Sequence, residues 1–130
     1  MKNKREINII DRILEIFHSA ANWTQKVNAR DEYGEPVYPP NDRAVCWCLE
    51  GAIYKAIWEQ KLSKRKWNNS YWKIVGAICK VQGLKFNIRH QDEHIGYNDA
   101  ADTTFEMVIE TLNKAKAYLQ GEYKVWEPTQ

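Results

Sequence analysis

The stretch RAVCWCLEGAIYKAIW, residues 43–58, decides the expected fold because its apolar side chains would cover most of a helix. Two stripes run along it at helical spacing. One comprises Ala44, Val45, Cys48, Leu49, Ala52, Ile53, Ala56 and Ile57, and the other comprises Trp47, Gly51, Tyr54 and Trp58. A helix that is apolar on most sides lies in the middle of a bundle. The stretch therefore predicts a buried central helix, with Asn41 or Asp42 as its N-terminal cap.

Cys46 and Cys48 are separated by a single residue in this stretch, which raises the question of a metal or redox site. On a helix their side chains would point about 200° apart, so they could not share a metal ion. Cysteine also packs well as a small buried hydrophobe. We therefore predict that both thiols fill the core, with no bound metal and no cofactor. The odd total of three cysteines, without a secretory signal, favours reduced thiols and a cytoplasmic location.

Three further segments carry the apolar periodicity of helices. The first is an amphipathic helix over about residues 4–20. The next is expected to begin at a Ser70 cap and to stop at Gly83. The last has the clearest start signal, a capping box at Thr103, and it is expected to end at Gly121.

Irregular sequence separates these helices at about residues 22–42 and 84–102. In the first of these segments, the turn sequence DEYGEP lies between TQKV and PVY, which can pair as a short hairpin. We predict a mainly α fold: a compact four-helix domain with one long irregular loop or short β-hairpin between helices 1 and 2.

The predicted domain is single and spans residues 1–130, and its C-terminal tail, 122–130, is expected to lay Val125 and Trp126 against the bundle. No run approaches the roughly 20 apolar residues that a membrane-spanning helix needs, so no membrane association is expected. The sequence leaves the oligomeric state open.

Three ionisable side chains are candidates for chemistry. Glu50 stands among apolar residues and must be paired, protonated or turned toward water. We favour an ion pair with Arg30 or Arg89 over a perturbed acid in a pocket. His90 and His94 are four residues apart, but their segment lacks a helical period, so a solvated loop is favoured over a zinc site.

A net charge of +2 is too small to indicate nucleic-acid binding by itself. The segment KLSKRKWNNSYWK, residues 61–73, nevertheless combines basic and aromatic side chains, as single-strand binders do. The candidate residues for that function are Lys61, Lys64, Arg65, Lys66 and Trp67. A solvated connector that leads into the third helix accounts for the same pattern and is preferred.

Three segments, NWTQKVNARDEYGEPV, AVCWCLEGAIYKA and HIGYNDAADTTFEMVIETLNKA, resemble a family of small bacterial and phage proteins of unknown function. That family carries Trp-x-Q/G, Ala-Arg-Asp-x-x-Gly, Trp-Cys-x-x-Gly-Ala and Trp-Asn-Asp motifs. The matching positions are Trp23, Ala29, Arg30, Asp31, Gly34, Ala44, Trp47, Cys48, Gly51, Ala52, Asn98, Asp99 and Val108. Tyr97 departs from the pattern because the family usually has Trp there. The resemblance implies a shared fold and no particular activity.

The resemblance directs attention to the two irregular segments, which we expect to meet at one end of the bundle as a polar site. The candidate residues for binding a ligand or partner are Trp23, Gln25, Arg30, Asp31, Glu50, Tyr97, Asn98 and Asp99. Asp31 can also order its own turn, and Asn98 and Asp99 can organise the loop that enters the last helix; this structural role is preferred.

The preferred functional hypothesis is a small non-enzymatic binding protein, such as a phage-type accessory factor that inhibits a host defence system. It would act on a partner protein or a small ligand, because six Trp and seven Tyr supply large anchoring side chains. No catalytic residue is predicted, since the sequence lacks a nucleophile elbow and a phosphate-binding loop. The alternatives are the nucleic-acid binder and a small hydrolase or metal-dependent enzyme that uses Asp31, Asp99, Glu50 and His94.

Overall fold

The chain was analysed as a computed structural model that describes residues 2–124. Its helices are α1 (Lys4–Ile16), α2 (Leu49–Glu59), α3 (Lys64–Gln82), α4 (Glu93–Asp99) and α5 (Phe105–Leu119). Two short strands, β1 (Ala29–Arg30) and β2 (Cys46–Trp47), lie between α1 and α2 and pair in antiparallel fashion. The mainly α prediction is confirmed, with a small two-stranded element where a hairpin was expected. The prediction of four helices is wrong, because the described residues form five.

Four of the helices, α1, α2, α3 and α5, pack on one another around a common core. Its fully buried side chains are Ile9, Ile10 and Ile13 of α1, Leu49, Ile53 and Ile57 of α2, Ile74, Val75 and Ile78 of α3, and Val108 and Leu112 of α5. The helical stripes in the sequence place these residues on inward faces. Within residues 2–124 no helix is long and apolar enough to cross a membrane.

The central helix begins later than its apolar pattern predicts. Cys46 and Trp47 are extended because they pair with Arg30 and Ala29, respectively. The indole nitrogen of Trp47 also donates to the carbonyl of Pro39 at 2.9 Å. The prediction that Asn41 or Asp42 caps this helix is therefore wrong. The argument that Cys46 and Cys48 point in different directions on a helix does not apply either, because Cys46 is extended.

Cys48 is the actual N-cap of α2, since its Sγ accepts a hydrogen bond from the Gly51 amide at 3.3 Å. The predicted burial is confirmed for Cys48, which is 3% exposed, although its backbone is not helical. Cys79 in α3 is also buried, whereas Cys46 is half-buried. The three thiols are free.

The DEYGEP turn is present and PVY pairs as predicted through Pro36 and Val37, but its partner is Ala29–Arg30 and not TQKV. The Asp31 amide donates to the Glu35 carbonyl at 2.9 Å, and Gly34 adopts a positive φ of 81°. Arg30 bridges Pro36, and the Val37 amide donates to Ala29 at 3.0 Å. The paired segment thus begins at Ala29 and excludes residues 24–27.

The other helix boundaries also need correction. α1 ends at Ile16, not near residue 20, and α3 begins about two turns before the predicted Ser70 cap, with Ser63 as its cap. Ser70 instead lies buried inside α3. Thr104 caps α5 by accepting from the Met107 amide at 3.2 Å, so the predicted capping box at Thr103 was displaced by one residue.

The segment 84–102, predicted to be irregular, contains the short helix α4. Its buried side chains are the polar residues His94 and Asn98, so it shows none of the apolar periodicity that marks a helix in sequence. α4 packs against α2 and α3. The contact predicted for Val125 and Trp126 lies outside the described residues.

Candidate functional site

Asn98 joins the two irregular segments at the start of α2. Its side chain is fully buried, and its Oδ1 accepts from the indole nitrogen of Trp23 at 2.7 Å and from the Leu49 amide at 3.0 Å. Its Nδ2 donates to the Thr24 carbonyl at 3.2 Å and to Oδ1 of Asp99 at 3.0 Å. The two segments therefore meet, and Asn98 uses both of its polar atoms to hold them together.

Gln25 and Asp99 strengthen the same junction. The Gln25 amide donates to the carbonyls of Asn98 and Ala100 at 2.8 and 3.0 Å. Oδ1 of Asp99 also accepts from the backbone amide of Lys26 at 2.8 Å. These bonds fasten the chain before β1 to the end of α4.

Asp31 bonds within its own turn, whereas Arg30 joins that turn to the segment before β1. The Arg30 guanidinium donates to Thr24 Oγ1 and to the carbonyls of Gly34 and Gln25, at distances between 3.0 and 3.2 Å. One carboxylate oxygen of Asp31 accepts from the amides of Tyr33 and Glu35. Their contacts stabilise the fold locally, and ligand binding by this group stays a prediction.

Glu50 was predicted to pair with Arg30 or Arg89, and this prediction is wrong. Its carboxylate accepts from the Tyr71 hydroxyl at 2.7 and 2.9 Å and contacts His94 Nε2 at 2.9 Å. Burial and the adjacent Glu50 carboxylate both raise the pKa of Tyr71 far above its ordinary value. Glu50 is thus satisfied by two aromatic partners that become neighbours only in the folded chain.

His94 is fully buried, so its placement in a solvated loop was wrong. His90 lies outside α4 and makes a backbone pairing with Asn87. Among residues 2–124, Nδ1 of His94 is a buried polar atom without a hydrogen-bond partner. Because a carboxylate oxygen of Glu50 accepts, Nε2 of His94 carries the hydrogen in this contact.

The two buried cysteines, Cys48 and Cys79, provide no ready metal ligand or nucleophile. Burial raises the pKa of Cys48 to about 11 and that of Cys79 also to about 11, so both are protonated at neutral pH. The thiolate is the form that attacks electrophiles and binds metals. Within the described part of the chain, no group of three His, Cys, Asp or Glu side chains could hold a metal ion.

A family model matches residues 1–118, which is most of the chain. The chain belongs to the family of unknown function DUF6197. The resemblance to an uncharacterised family is thereby confirmed. No functionally curated protein and no solved structure matches the chain.

Four of the positions that suggested the resemblance have structural contacts in this DUF6197 protein. Trp23, Trp47 and Asn98 make the hydrogen bonds described above, and Gly51 lies against the Asn28 backbone. A Cβ atom on Gly51 would lie 1.9 Å from the Asn28 carbonyl oxygen, so only glycine fits there. These motifs specify how the segments before and after the strands are joined to α2.

A different group of residues in this DUF6197 protein forms a chain of aromatic rings that is exposed at both ends, half-buried at Tyr54 and Trp67, and buried at Tyr71. We call it the aromatic ladder; it comprises Tyr38, Tyr54, Trp67, Tyr71, Trp72 and Phe86. Successive ring centroids are 5.4, 5.4, 5.4, 4.7 and 5.9 Å apart. Tyr38 is 61% exposed, and Trp72 and Phe86 are 37% and 39% exposed.

Sequence reasoning did not predict the ladder as a surface. Trp67 and Tyr71 are four residues apart on α3, and this spacing signals a shared helix face. Tyr38 and Phe86 come from irregular segments and gave no such signal. The ladder is assembled by the packing of α2, α3 and the two segments that follow β1 and α3.

Basic residues border the ladder along α3. This helix carries Lys64, Arg65, Lys66, Lys73 and Lys80 and has no Asp or Glu. Of the nucleic-acid candidates, Lys64, Arg65 and Lys66 lie in the first turn of α3, Lys61 lies just before it, and Trp67 belongs to the ladder. The helix α3 is therefore strongly basic, although the net charge of the whole chain is small.

Proposed function

We propose that this DUF6197 protein is a non-enzymatic binding protein that contacts a partner protein through the aromatic ladder. The observation that supports it is the run of six rings in mutual contact, three of which are exposed by more than a third. The exposed rings lie at the two ends of this run, and half-buried Tyr54 and Trp67 lie between them; exposed apolar side chains grouped in this way are typical of interaction sites on soluble proteins. Tyr and Trp are also the side chains that most often dominate binding energy.

The ladder suits binding because its rings are held before a partner arrives. The hydroxyls of Tyr38 and Tyr54 are hydrogen-bonded to each other, and Trp67 stacks on Tyr71. Side chains that are already ordered lose little conformational entropy on association. The neighbouring basic residues of α3 favour a partner whose matching surface is acidic around an apolar centre.

The proposal extends to the origin and location of the protein. It acts in the cytoplasm of bacteria or during phage infection, as an accessory factor such as an inhibitor of a host defence system. Resemblance of the motifs to small bacterial and phage proteins supports the origin, and the odd number of cysteines supports the location.

The proposal favours binding over hydrolysis because the candidate catalytic groups have structural contacts. His94 is fully buried, and Asp31 and Asp99 each accept from backbone amides. A general base must reach the proton that it removes from substrate.

Affinity capture with matched variants tests the proposal. Tyr38→Ala and Trp67→Ala remove rings from the ladder, whereas Trp58→Ala removes a comparably exposed indole, 52% exposed, that belongs to α2 outside the ladder. We expect one host protein to be retained by the wild type and by Trp58→Ala, and its recovery to fall at least tenfold with either ladder variant. Mass spectrometry of the retained fraction, with thermal unfolding as a check on folding, provides the measurement.

Equal recovery of every host protein by the wild type and both folded ladder variants would overturn the proposal. Loss of the same protein with Trp58→Ala would also contradict it, because binding would then depend on exposed tryptophan in general.

A further inference from the structure

A cleft of about 610 Å³ opens between the start of α1 and the middle of α3. The lining residues that matter are Lys4, Arg5, Glu6, Asn69, Trp72 and Lys73. Apart from Trp72, they belong neither to the ladder nor to the predicted polar site. The cleft therefore needs its own chemical interpretation.

The charges of the cleft favour an anionic ligand. Lys4, Arg5 and Lys73 supply three cations against the single carboxylate of Glu6. Within residues 2–124, neither Lys4 nor Arg5 takes part in an ion pair. Lys73 is 53% exposed; its Nζ donates to Asn3 Oδ1 at 3.4 Å and lies 3.9 Å from Glu6 Oε1. A phosphate group can accept hydrogen bonds from the ammonium groups of the two lysines and from the guanidinium group of the arginine.

Glu6 gives the cleft a second and more specific requirement. Its side chain is 6% exposed, and its Oε2 accepts from the Ser70 hydroxyl at 2.6 Å. The 3.9 Å separation between Oε1 and Lys73 exceeds an ordinary hydrogen bond. An ionised carboxylate can only accept, so Oε1 keeps the capacity to receive one hydrogen from a ligand donor.

Trp72 gives the cleft a third feature, a planar aromatic ring on which a ligand can stack. Its ring packs against Tyr71 and Phe86 at centroid distances of 4.7 and 5.9 Å, yet the residue is 37% exposed. Stacking of a base on such a ring contributes about 1–3 kcal/mol in single-strand binders.

We propose that this cleft binds a nucleotide unit whose base carries an exocyclic amino group. The base stacks on Trp72 and donates its amino hydrogen to Glu6, while Lys4, Arg5 and Lys73 bind the phosphate. Asn69 lies beside the ring and can bond a second position of the base edge. This site and the proposed partner surface share Trp72 and the basic residue Lys73 of α3, whereas Lys4, Arg5 and Glu6 belong to the cleft alone.

The same chemistry can come from a free nucleotide or from one unit of a single strand. Arg65, Asn69 and Trp72 follow one another at steps of four and three along α3, which places them on one helix face. A strand whose base occupies the cleft could therefore run along α3 toward Arg65. The experiment needs one arm for each source.

Calorimetric titration with two matched nucleotide pairs tests the base requirement. Cytidine and uridine monophosphates differ in an amino group that is replaced by oxygen and in N3, which carries a hydrogen only in uridine, whereas guanosine and inosine monophosphates differ in a single amino group. We expect the amino-bearing member of each pair to bind about tenfold more tightly, since a hydrogen bond to a buried carboxylate is lost in the other. Cytidine without phosphate should bind more weakly than its monophosphate, with less dependence on salt.

Two variants assign the preference to the proposed residues. Glu6→Gln can donate as well as accept, so it should remove the preference for cytidine over uridine monophosphate. Lys73→Gln should weaken both nucleotides equally, while Lys114→Gln on the remote helix α5 should change neither. If Glu6→Gln does not fold, the nucleotide pairs measured on the wild-type protein still decide the question.

Short cytidine oligonucleotides form the second arm. Tighter binding of the oligonucleotide than of the monophosphate, reduced by Arg65→Gln, would identify a strand; equal binding would identify the free nucleotide. Absence of binding by all four monophosphates at millimolar concentration, or equal affinities within each pair, would overturn the proposal. Tyr38→Ala should bind cytidine monophosphate normally, which separates failure of this site from failure of the ladder.

Discussion

Asn98 is the single side chain on which the junction of the two irregular segments most depends. It accepts from Trp23 and Leu49 and donates to Thr24 and Asp99, without any exposure to water. Its removal leaves buried donors and acceptors unpaired, each at a cost of roughly 1–3 kcal/mol. The residue was predicted as part of a binding site or a loop organiser, and its contacts account for the second role.

Substitution of Asn98 tests this interpretation. We expect Asn98→Ala to lower the free energy of unfolding by about 3 kcal/mol, because several buried polar groups lose their partner. Urea denaturation followed by tryptophan fluorescence measures the change. Asn113→Ala, at an exposed position of α5 with one backbone contact, should cost less than about 1 kcal/mol. Equal effects of the two substitutions would contradict the special role of Asn98.

The thiols differ in accessibility within the folded protein. Cys48 and Cys79 are 3% and 1% exposed, whereas Cys46 is half-buried. A colorimetric thiol reagent at pH 8 should therefore react rapidly with one thiol per native chain and with all three after denaturation. Cys46→Ala should abolish the rapid phase. A rapid phase that persists in that variant would place an accessible thiol elsewhere and contradict the described packing.

At the scale of the element, the start of α2 shows why local pattern is insufficient. The apolar stripe runs from Ala44 onward, yet the helix begins at Leu49 because residues 46–47 bond across to β1. Helical periodicity shows only where apolar residues occur. A short apolar run can therefore belong either to a buried helix or to an extended segment, and the pattern alone does not distinguish them. Only the position of β1 decides between the two backbones.

Gly51 provides a matched test of how α2 meets the chain before β1. Gly51→Ala would bring a Cβ within 1.9 Å of the Asn28 carbonyl oxygen, so we expect a loss of about 3 kcal/mol or more in the free energy of unfolding. Gly96→Ala in α4 meets nothing within 4 Å and should stabilise by about 0.5–1 kcal/mol. Chemical denaturation of both variants provides the measurement, and destabilisation by Gly96→Ala alone would contradict this packing.

α4 was missed for a related reason. Its buried positions are occupied by His94 and Asn98, whose partners lie on α2 and α3 or in the segment before β1. A polar side chain becomes suitable for burial only when its partner is fixed nearby. The sequence shows the polar residues, but the partners that make the helix stable are 44 to 75 residues away.

At the scale of the whole molecule, burial of titratable groups links stability to alkaline pH. Burial raises the pKa of Cys48 and Cys79 from 9.0 to about 11, and it also raises the pKa of Tyr71. Between pH 9 and pH 11 the two thiols are largely deprotonated in the unfolded chain but still protonated in the native state. The native state therefore binds more protons than the unfolded state. The free energy of unfolding must then decrease as pH rises.

We expect a loss of about 4 kcal/mol between pH 9 and pH 11, since each unit of displacement corresponds to about 1.4 kcal/mol per group and roughly two thirds of the effect of the two thiols falls within this interval. Urea denaturation at half-unit intervals of pH measures the curve. The variant Cys48→Ser with Cys79→Ala removes both thiols, keeps an oxygen at the helix cap, and should show a shallower decline. A curve as steep as that of the wild type would show that other groups cause the alkaline transition.

The amino-acid sequence by itself determined the helical class, the inward faces of four helices, the turn at Asp31–Glu35 and membership of a family through local motifs. These features depend on periodicity, turn chemistry and composition, which act over a few neighbouring residues. Tertiary structure alone decided the late start of α2, the existence of α4, the aromatic partners of Glu50, and the assembly of the ladder and cleft. Each of these arises from contacts between residues far apart in the chain. The energy of such a contact can be evaluated only when the positions of both partners are known.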